Sequence, residues 1–244
     1  LTNGPDEMTR LRDIVLTGRG MARKGGSITR VDGIRDRYIA DLVGDFRLSR
    51  PLRIVCATGN GTAGAFAPEV LARIGAEVIP LHTELDYTFP NYNPNPEALE
   101  MLHDMADAVR TRGADLAMGF DGDGDRCGIV DDRGEEIFAD RMGLMLARHW
   151  AAAFPGAKFV VDVKSTGLFL SDPVLRDAGV TTEYWKTGHS HMKRRVRDTG
   201  ALAGFEKSGH YFLATPIGRG YDCGMRVAVE IARMLDAHPG QRLS

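Results

Sequence analysis

Apolar and polar positions along the chain alternate between two periods, one near 3.6 residues and one near 2. This pattern predicts helices and strands in turn. The first segment, 4–16, reads as a helix: Pro5 suits a first turn, Asp6 and Glu7 suit its positive end, and Met8, Leu11, Ile14 and Val15 form a stripe. Residues 17–33 are Gly-rich and basic and read as a linker, followed by a helix over 34–47. A strand over 52–57 runs into a Gly-rich loop and a helix ended by Gly75, then a strand over 77–81. The loop 83–96 carries Pro90, Pro94 and Pro96, and a helix over 97–112 places Leu99, Leu102 and Met105/Ala106 on one face. A strand over 115–120 follows.

After a turn at 131–134 the pattern restarts. A helix over 140–153 precedes a strand over 158–163, the loop 164–167 and another helix. A strand over 182–185, a helix over 191–198, a strand over 202–205, a polar loop and a last helix over 222–237 complete the chain. Two similar α/β halves of about 100 residues thus follow each other. The strands Arg53–Ala57 and Phe159–Val163 each lead into a small-residue loop and a helix, a weak repeat of architecture.

Composition narrows the function classes. The 244 residues carry 31 Lys plus Arg against 33 Asp plus Glu, a net charge of −2, which excludes a charge-driven nucleic-acid binder. Hydrophobic residues at 43% and charged residues at 26% describe a folded chain rather than a disordered one. The longest apolar runs are far short of the ~20 residues of a membrane span, and no signal peptide is visible. Cys56, Cys127 and Cys223 are odd in number and widely spaced, without zinc-site pairing, and point to a reduced, cytoplasmic protein. A start at Leu1 in polar sequence suggests a piece of something longer.

Four segments carry candidate chemistry. Gly59-Asn60-Gly61-Thr62-Ala63-Gly64 follows a strand, opens a helix and has Glu84 about 20 residues on, the context of a dinucleotide fingerprint. A tight turn that needs glycine for its backbone fits the segment equally well. In Asp121-Gly122-Asp123-Gly124-Asp125-Arg126, full extension would hold alternate carboxylates about 6.6 Å apart, too far for one ion. Gly122 and Gly124 let the backbone curl so that the three converge, and crowded anions with hard oxygens call for Mg²⁺ or Ca²⁺. Arg126 is placed to orient a phosphate or carboxylate. An EF-hand is disfavoured, since its sixth and twelfth positions would be Arg126 and Asp132. A haloacid-dehalogenase-like strand with Asp121 as nucleophile is a fairer rival, although Asp125 stands where that pattern has Thr or Val.

The third segment, 204–210, alternates Glu206, Ser208 and His210 toward one side of an extended loop, a good set of partners for sugar hydroxyls. The fourth, 186–193, brings His189 to a helix start as a candidate acid or base; His189 with His191 could suggest a metal pair, but no third ligand is evident nearby. Lys164 ends a strand, where α/β sheets present binding groups.

Read together, Asp121–Arg126 and Glu206–His210 resemble the α-D-phosphohexomutases of the bacterial phosphomannomutase/phosphoglucomutase type. The Asp-Gly-Asp-Gly-Asp-Arg metal loop is intact, and the Gly-Glu-x-Ser-Gly-His sugar loop is kept except that Phe205 replaces the glycine before Glu206. Thr187–Ser190 matches the family's Thr-Gly-His-Ser, Lys164 its strand-end lysine, and Gly59–Gly64 a turn that is structural there and binds no dinucleotide. Gly124 tilts the resemblance away from the phosphoglucosamine mutases, which usually have Ala at that position. The resemblance implies two consecutive three-layer α/β domains with mixed sheets. Residues 1–30 would be the tail of a first domain, 31–135 the second and 136–244 the third, with the catalytic serine loop and the fourth domain lying outside the chain.

The resemblance further implies conversion of hexose 1-phosphate and 6-phosphate through a phosphoserine and a 1,6-bisphosphate. Asp121, Asp123 and Asp125 would hold Mg²⁺. Arg126 and Lys164 would steady charge on the transferring group, with His189 as proton carrier and Lys164 its rival. Glu206 and Ser208, supported by His210, would grip sugar hydroxyls without engaging C2, so that glucose and mannose phosphates both fit. The rivals that remain are the Asp121 phosphatase and a non-catalytic Ca²⁺- or sugar-binding module.

Overall fold

The structure is a computed structural model, and it describes residues 4–244. Part of the expected tail at 1–30 therefore lies outside the described residues. The chain folds as α1 (Pro5–Leu16), α2 (Ile34–Val43), β1 (Arg53–Ala57), a 3₁₀ turn over Thr62–Ala65, α3 (Ala67–Arg73), β2 (Glu77–Leu81), α4 (Leu99–Arg112), β3 (Leu116–Phe120), β4 (Cys127–Val130) and β5 (Glu136–Ile137). It continues as α5 (Ala139–Ala153), β6 (Lys158–Asp162), α6 (Leu168–Ser171), α7 (Pro173–Asp177), β7 (Thr181–Trp185), α8 (His189–Thr199), β8 (Ala203–Phe205), β9 (Tyr211–Leu213) and α9 (Gly224–Ala237).

These form two mixed sheets of the same design. The first has the order β2-β1-β3-β4-β5, parallel through β3 and antiparallel beyond it. The second has the order β7-β6-β8-β9, again parallel with one antiparallel edge. Alternation in β1 sends Val55 and Ala57 to one face, where Met101, Met105 and Val109 of α4 cover them. Ile54 and Cys56 face the other way, into a core shared with α2, α3 and α9. That core runs without a break to Phe159, Val161, Phe205 and Tyr211 of the second sheet. Helix α8 closes the far face of the second sheet through Met192 and Val196.

Several boundaries differ from the sequence pattern. Helix α2 stops at Val43, because Gly44 (φ 53°) turns the chain ten residues after the helix starts. The helix expected before Gly75 breaks at Phe66, whose backbone is non-helical, and α3 restarts there with Pro68 in its first turn. The stripe expected on α4 is shifted: Leu99 opens the helix and is exposed, while Met101, Leu102, Met105, Ala106 and Val109 are buried. The helix before β7 is two short ones, divided at Asp172. Strands β4, β5 and β9 were not expected. The apolar stripe of α1 buries none of its residues. No helix among the described residues is long and apolar enough to cross a membrane.

Candidate active site

The parallel strands of both sheets end on one rim, and the candidate loops follow those ends. The 121–126 loop leaves β3, and the 206–210 loop connects β8 to β9. The two are joined by an antiparallel bridge between Arg126 and His210, with the Cys127 amide donating to the Gly209 carbonyl at 3.3 Å.

Within the first loop, Asp121, Asp123 and Asp125 each offer an oxygen within 4.8 Å of the others. Gly124 sits at φ 77°, the left-handed region that permits the curl. Asp121 is buried, and Arg126 holds it twice: the amide donates to Oδ1 at 3.0 Å and Nε to Oδ2 at 2.7 Å. Burial dominates, so the Asp121 carboxyl rests above the ordinary carboxylate range. Asp123 is exposed at the loop's crest. Three converging carboxylates make an all-oxygen donor set that fits Mg²⁺.

The turn after β1 supports this loop. Gly61 approaches so closely that a Cβ there would lie 3.0 Å from Gly122 Cα, and one at Gly64 would lie 2.2 Å from the Thr83 carbonyl. Its amides are consumed internally: Asn60 N donates to His82 O, Gly61 N to Thr58 O, and Thr62 N to Gly122 O. Glu84 contributes only its carbonyl, which accepts from Asn60 Nδ2 at 2.8 Å. Amides engaged in this way leave no cradle for a pyrophosphate, and the tight-turn reading stands over the dinucleotide one.

The second loop forms a compact polar cluster. Glu206 is buried and accepts from the Gly188 amide at 2.7 Å and from Ser208 Oγ at 3.3 Å. His210 lies 3.4 Å from Glu206 through Nδ1 and 3.3 Å from Asp125 through Nε2. Burial disfavours the imidazolium, but hydrogen bonds to the two carboxylates outweigh it and carry His210 to about 9. Burial likewise lifts Glu206 and Asp125, and the His210 cation more than offsets this, so both rest below their usual range. Phe205, where the family has glycine, points the other way. It packs against Trp150, Phe159, Phe169 and Tyr211 with ring centroids 5.4–6.3 Å apart. Gly143 on α5 makes the room, since a Cβ there would stand 2.8 Å from the Phe205 ring.

His189 opens α8 and is exposed, its ring stacked 6.2 Å from that of His210. The 187–191 segment is thereby drawn to the 206–210 loop, to which the Gly188 amide also donates. Buried Asp162 ties it down further, accepting from Thr187 Oγ1 at 2.9 Å and from the Lys207 amide at 3.4 Å. Lys164 is exposed two residues past β6 and makes no ion pair among the described residues. Eight of the nine candidate residues thus fall into one connected cluster, and Lys164 stands apart from it.

Residues the spacing did not reveal also belong here. Asn95 Oδ1 accepts from Arg126 Nη1 at 3.1 Å, with Glu97 3.7 Å away. Asp222 pairs with Lys193 at 2.7 Å and shares a three-residue group with Asp125 and His210. The N-terminus of α9 presses on the metal loop: the Gly224 amide donates to Gly124 O at 3.0 Å, and a Cβ at Gly224 would lie 2.3 Å from Arg126 O. A Pro-rich loop and an Asp just before a helix were the only sequence signals for these residues.

Two mixed α/β sheets, with three converging carboxylates (Asp121 buried, Asp123 exposed) beside a compact polar loop at their strand ends, make the fold of the phosphohexomutases. The chain belongs to the phosphoglucomutase/phosphomannomutase family. Residues 36–134 match the family's alpha/beta/alpha domain II and residues 138–244 its alpha/beta/alpha domain III. It is 39% identical over 210 residues to the phosphomannomutase/phosphoglucomutase of Pseudomonas putida, covering 86% of this chain and 44% of that protein. It is 38% identical over 216 residues to the phosphoglucomutase of Neisseria gonorrhoeae, covering 88% of this chain and 46% of that one. A crystal structure of a family protein from Burkholderia thailandensis superposes with a TM-score of 0.91 at 33% identity, over 97% of this chain and 51% of the other. The chain spans about half the length of the curated relatives it matches.

Proposed function

We propose that this chain provides the metal-binding and sugar-binding portion of a phosphohexose mutase that interconverts hexose 1-phosphate and hexose 6-phosphate. The observation that carries the reading is the junction of the two loops, with Asp125 and Glu206 both held by His210. The chain divides into 31–135 and 136–244, with 1–30 as a leading tail, although β5 just past that boundary still pairs with β4 of the first sheet. The buried free thiols of Cys56, Cys127 and Cys223 suit a reducing, cytoplasmic setting.

Phosphoryl transfer is chiefly positioning and charge stabilisation. Asp121, Asp123 and Asp125 would hold Mg²⁺, and the ion would offset negative charge on a phosphoserine. Arg126, fixed by Asp121 and Asn95, directs its remaining guanidinium edge to the transferring phosphoryl, and Lys164 adds a second positive charge. His189 carries a proton to or from the sugar hydroxyl. Glu206 and Ser208 accept and donate to sugar hydroxyls, and His210 keeps Glu206 ionised and oriented. Because these contacts leave C2 alone, glucose and mannose phosphates are both accepted. The family resemblance places the serine nucleophile and the phosphate-clamping domain outside the matched domains II and III, so these 244 residues by themselves bind but do not turn over.

The test is amide NMR of the chain with Mg²⁺ during titration with mannose 1-phosphate. Shifts confined to 121–126, 186–193 and 204–210 are expected. Binding without a response at 206–210 would overturn the sugar-loop assignment.

A further inference from the structure

The spacing of His189 and His191 hinted at a metal pair without a third ligand, and the fold supplies different companions. Asp125, His210 and Asp222 each bring one ligand atom to within 4.8 Å of the other two. Asp222 arrives from the segment before α9, and its side chain is only 6% exposed. One of its oxygens, Oδ1, accepts from Lys193, while the buried Oδ2 has no hydrogen-bond partner. A buried carboxylate oxygen without a partner is costly and is normally satisfied. His189 Nδ1 stands 4.0 Å from that oxygen, at the mouth of the group.

We propose that Asp125, His210 and Asp222 form a second cation site, next to the three-carboxylate loop and sharing Asp125 with it, and that it takes a borderline metal such as Zn²⁺ with its fourth position open toward His189. The proposal rests on the reading of Asp125 as a ligand in the first site. The donor set decides the metal. Imidazole nitrogen with carboxylate oxygen suits Zn²⁺, whereas Mg²⁺ prefers oxygen alone and octahedral geometry. Two ligands about 2.0–2.1 Å from a tetrahedral ion stand about 3.3–3.4 Å apart, and His210 Nε2 lies 3.3 Å from Asp125 Oδ1. The outer shell is in place as well. Nδ1 of the same ring is 3.0 Å from Ser208 Oγ, which donates to Glu206 Oε2 at 3.3 Å, so the outer shell of a zinc-ligating histidine is supplied through Ser208 by a carboxylate. Asp125 has two oxygens, so one ion need not displace the other.

The chain is titrated with ZnCl₂ by calorimetry in saturating MgCl₂, and long-range ¹H–¹⁵N spectra of the histidine rings are recorded alongside. One Zn²⁺ per chain and a large shift of the His210 Nε2 resonance are expected. Asp222→Asn weakens Zn²⁺ at least tenfold and leaves Mg²⁺ affinity within twofold, and Asp123→Asn does the reverse. Zn²⁺ binding that survives Asp222→Asn, or that disappears with Mg²⁺ in Asp123→Asn, overturns the proposal. If Asp222→Asn does not fold, an unmoved His210 ring in the unmodified chain overturns it instead. Unchanged Mg²⁺ affinity in Asp123→Asn would sink the three-carboxylate reading separately, without touching the zinc result.

Discussion

Asp121 and Asp123 stand two residues apart on one loop and meet different demands. Asp121 is buried and fixed by Arg126, so its removal would unsettle the loop as well as the metal. Asp123 is exposed and contributes charge alone. Asp123→Asn is therefore expected to weaken Mg²⁺ by roughly tenfold or more, since affinity follows ligand charge, while leaving the melting temperature unchanged; calorimetry on both ligand binding and unfolding checks this. Gly143 makes the opposite case, a residue with no chemistry whose size matters. Gly143→Ala pushes a methyl into the Phe205 ring and is expected to cost about 1–3 kcal/mol in urea unfolding, the usual penalty of overpacking. At this scale the candidate site was legible wherever its residues are close in sequence. Asp121–Arg126 and Glu206–His210 announce themselves by spacing. Asp222 and Asn95 do not, because the chain brings them in from 97 residues beyond Asp125 and 31 residues before Arg126, and only folding pairs them.

Among the elements, α7 is held by its cap. Asp172 accepts from the Leu175 amide at 3.1 Å and from the Arg148 guanidinium, and these hydrogen bonds outweigh burial and keep its carboxyl below the usual 3.8. Such a depressed carboxylate adds stability above its unfolded pKa and loses it as pH falls through the folded value. Asp172→Ala is thus expected to lower stability by about 1–2 kcal/mol at pH 7, with the difference from the parent shrinking below pH 4 in parallel melts. The long amphipathic helices and the parallel strands were readable from periodicity. The antiparallel strands β4 and β9 were not, because four and three residues covered on both faces show no alternation. The Gly59–Gly64 turn read two ways for a similar reason: glycine at a strand end is demanded equally by a phosphate and by a close backbone, and only the position of Gly122 separates them.

For the whole molecule, the decisive feature is the core that runs from one sheet to the other. Val227 and Ile231 of α9 share a cluster with Ile54, Met118 and Ile129 of the first sheet and with Phe159 of the second. A continuous core of this kind couples the halves, so the chain is expected to unfold in one transition, with far-UV circular dichroism and tryptophan fluorescence coinciding in urea. Residues 36–134 expressed by themselves would lose the α9 side of the cover over Ile54, Met118 and Ile129 and are expected to give broad, low-stability melts. The sequence pattern announced two repeated halves but not their shared interior, since hydrophobic periodicity marks a buried face and is silent on what buries it.

The contact of Gly224 with Gly124 and Arg126 gives this coupling a practical use. A cut beside the exposed Arg133 would yield two polypeptides, one carrying the carboxylate loop and the other the helix that braces it. Neither would display a finished ion site, and their encounter would restore it. The pair would then act as a split reporter whose reassembly is read out as recovered cation affinity.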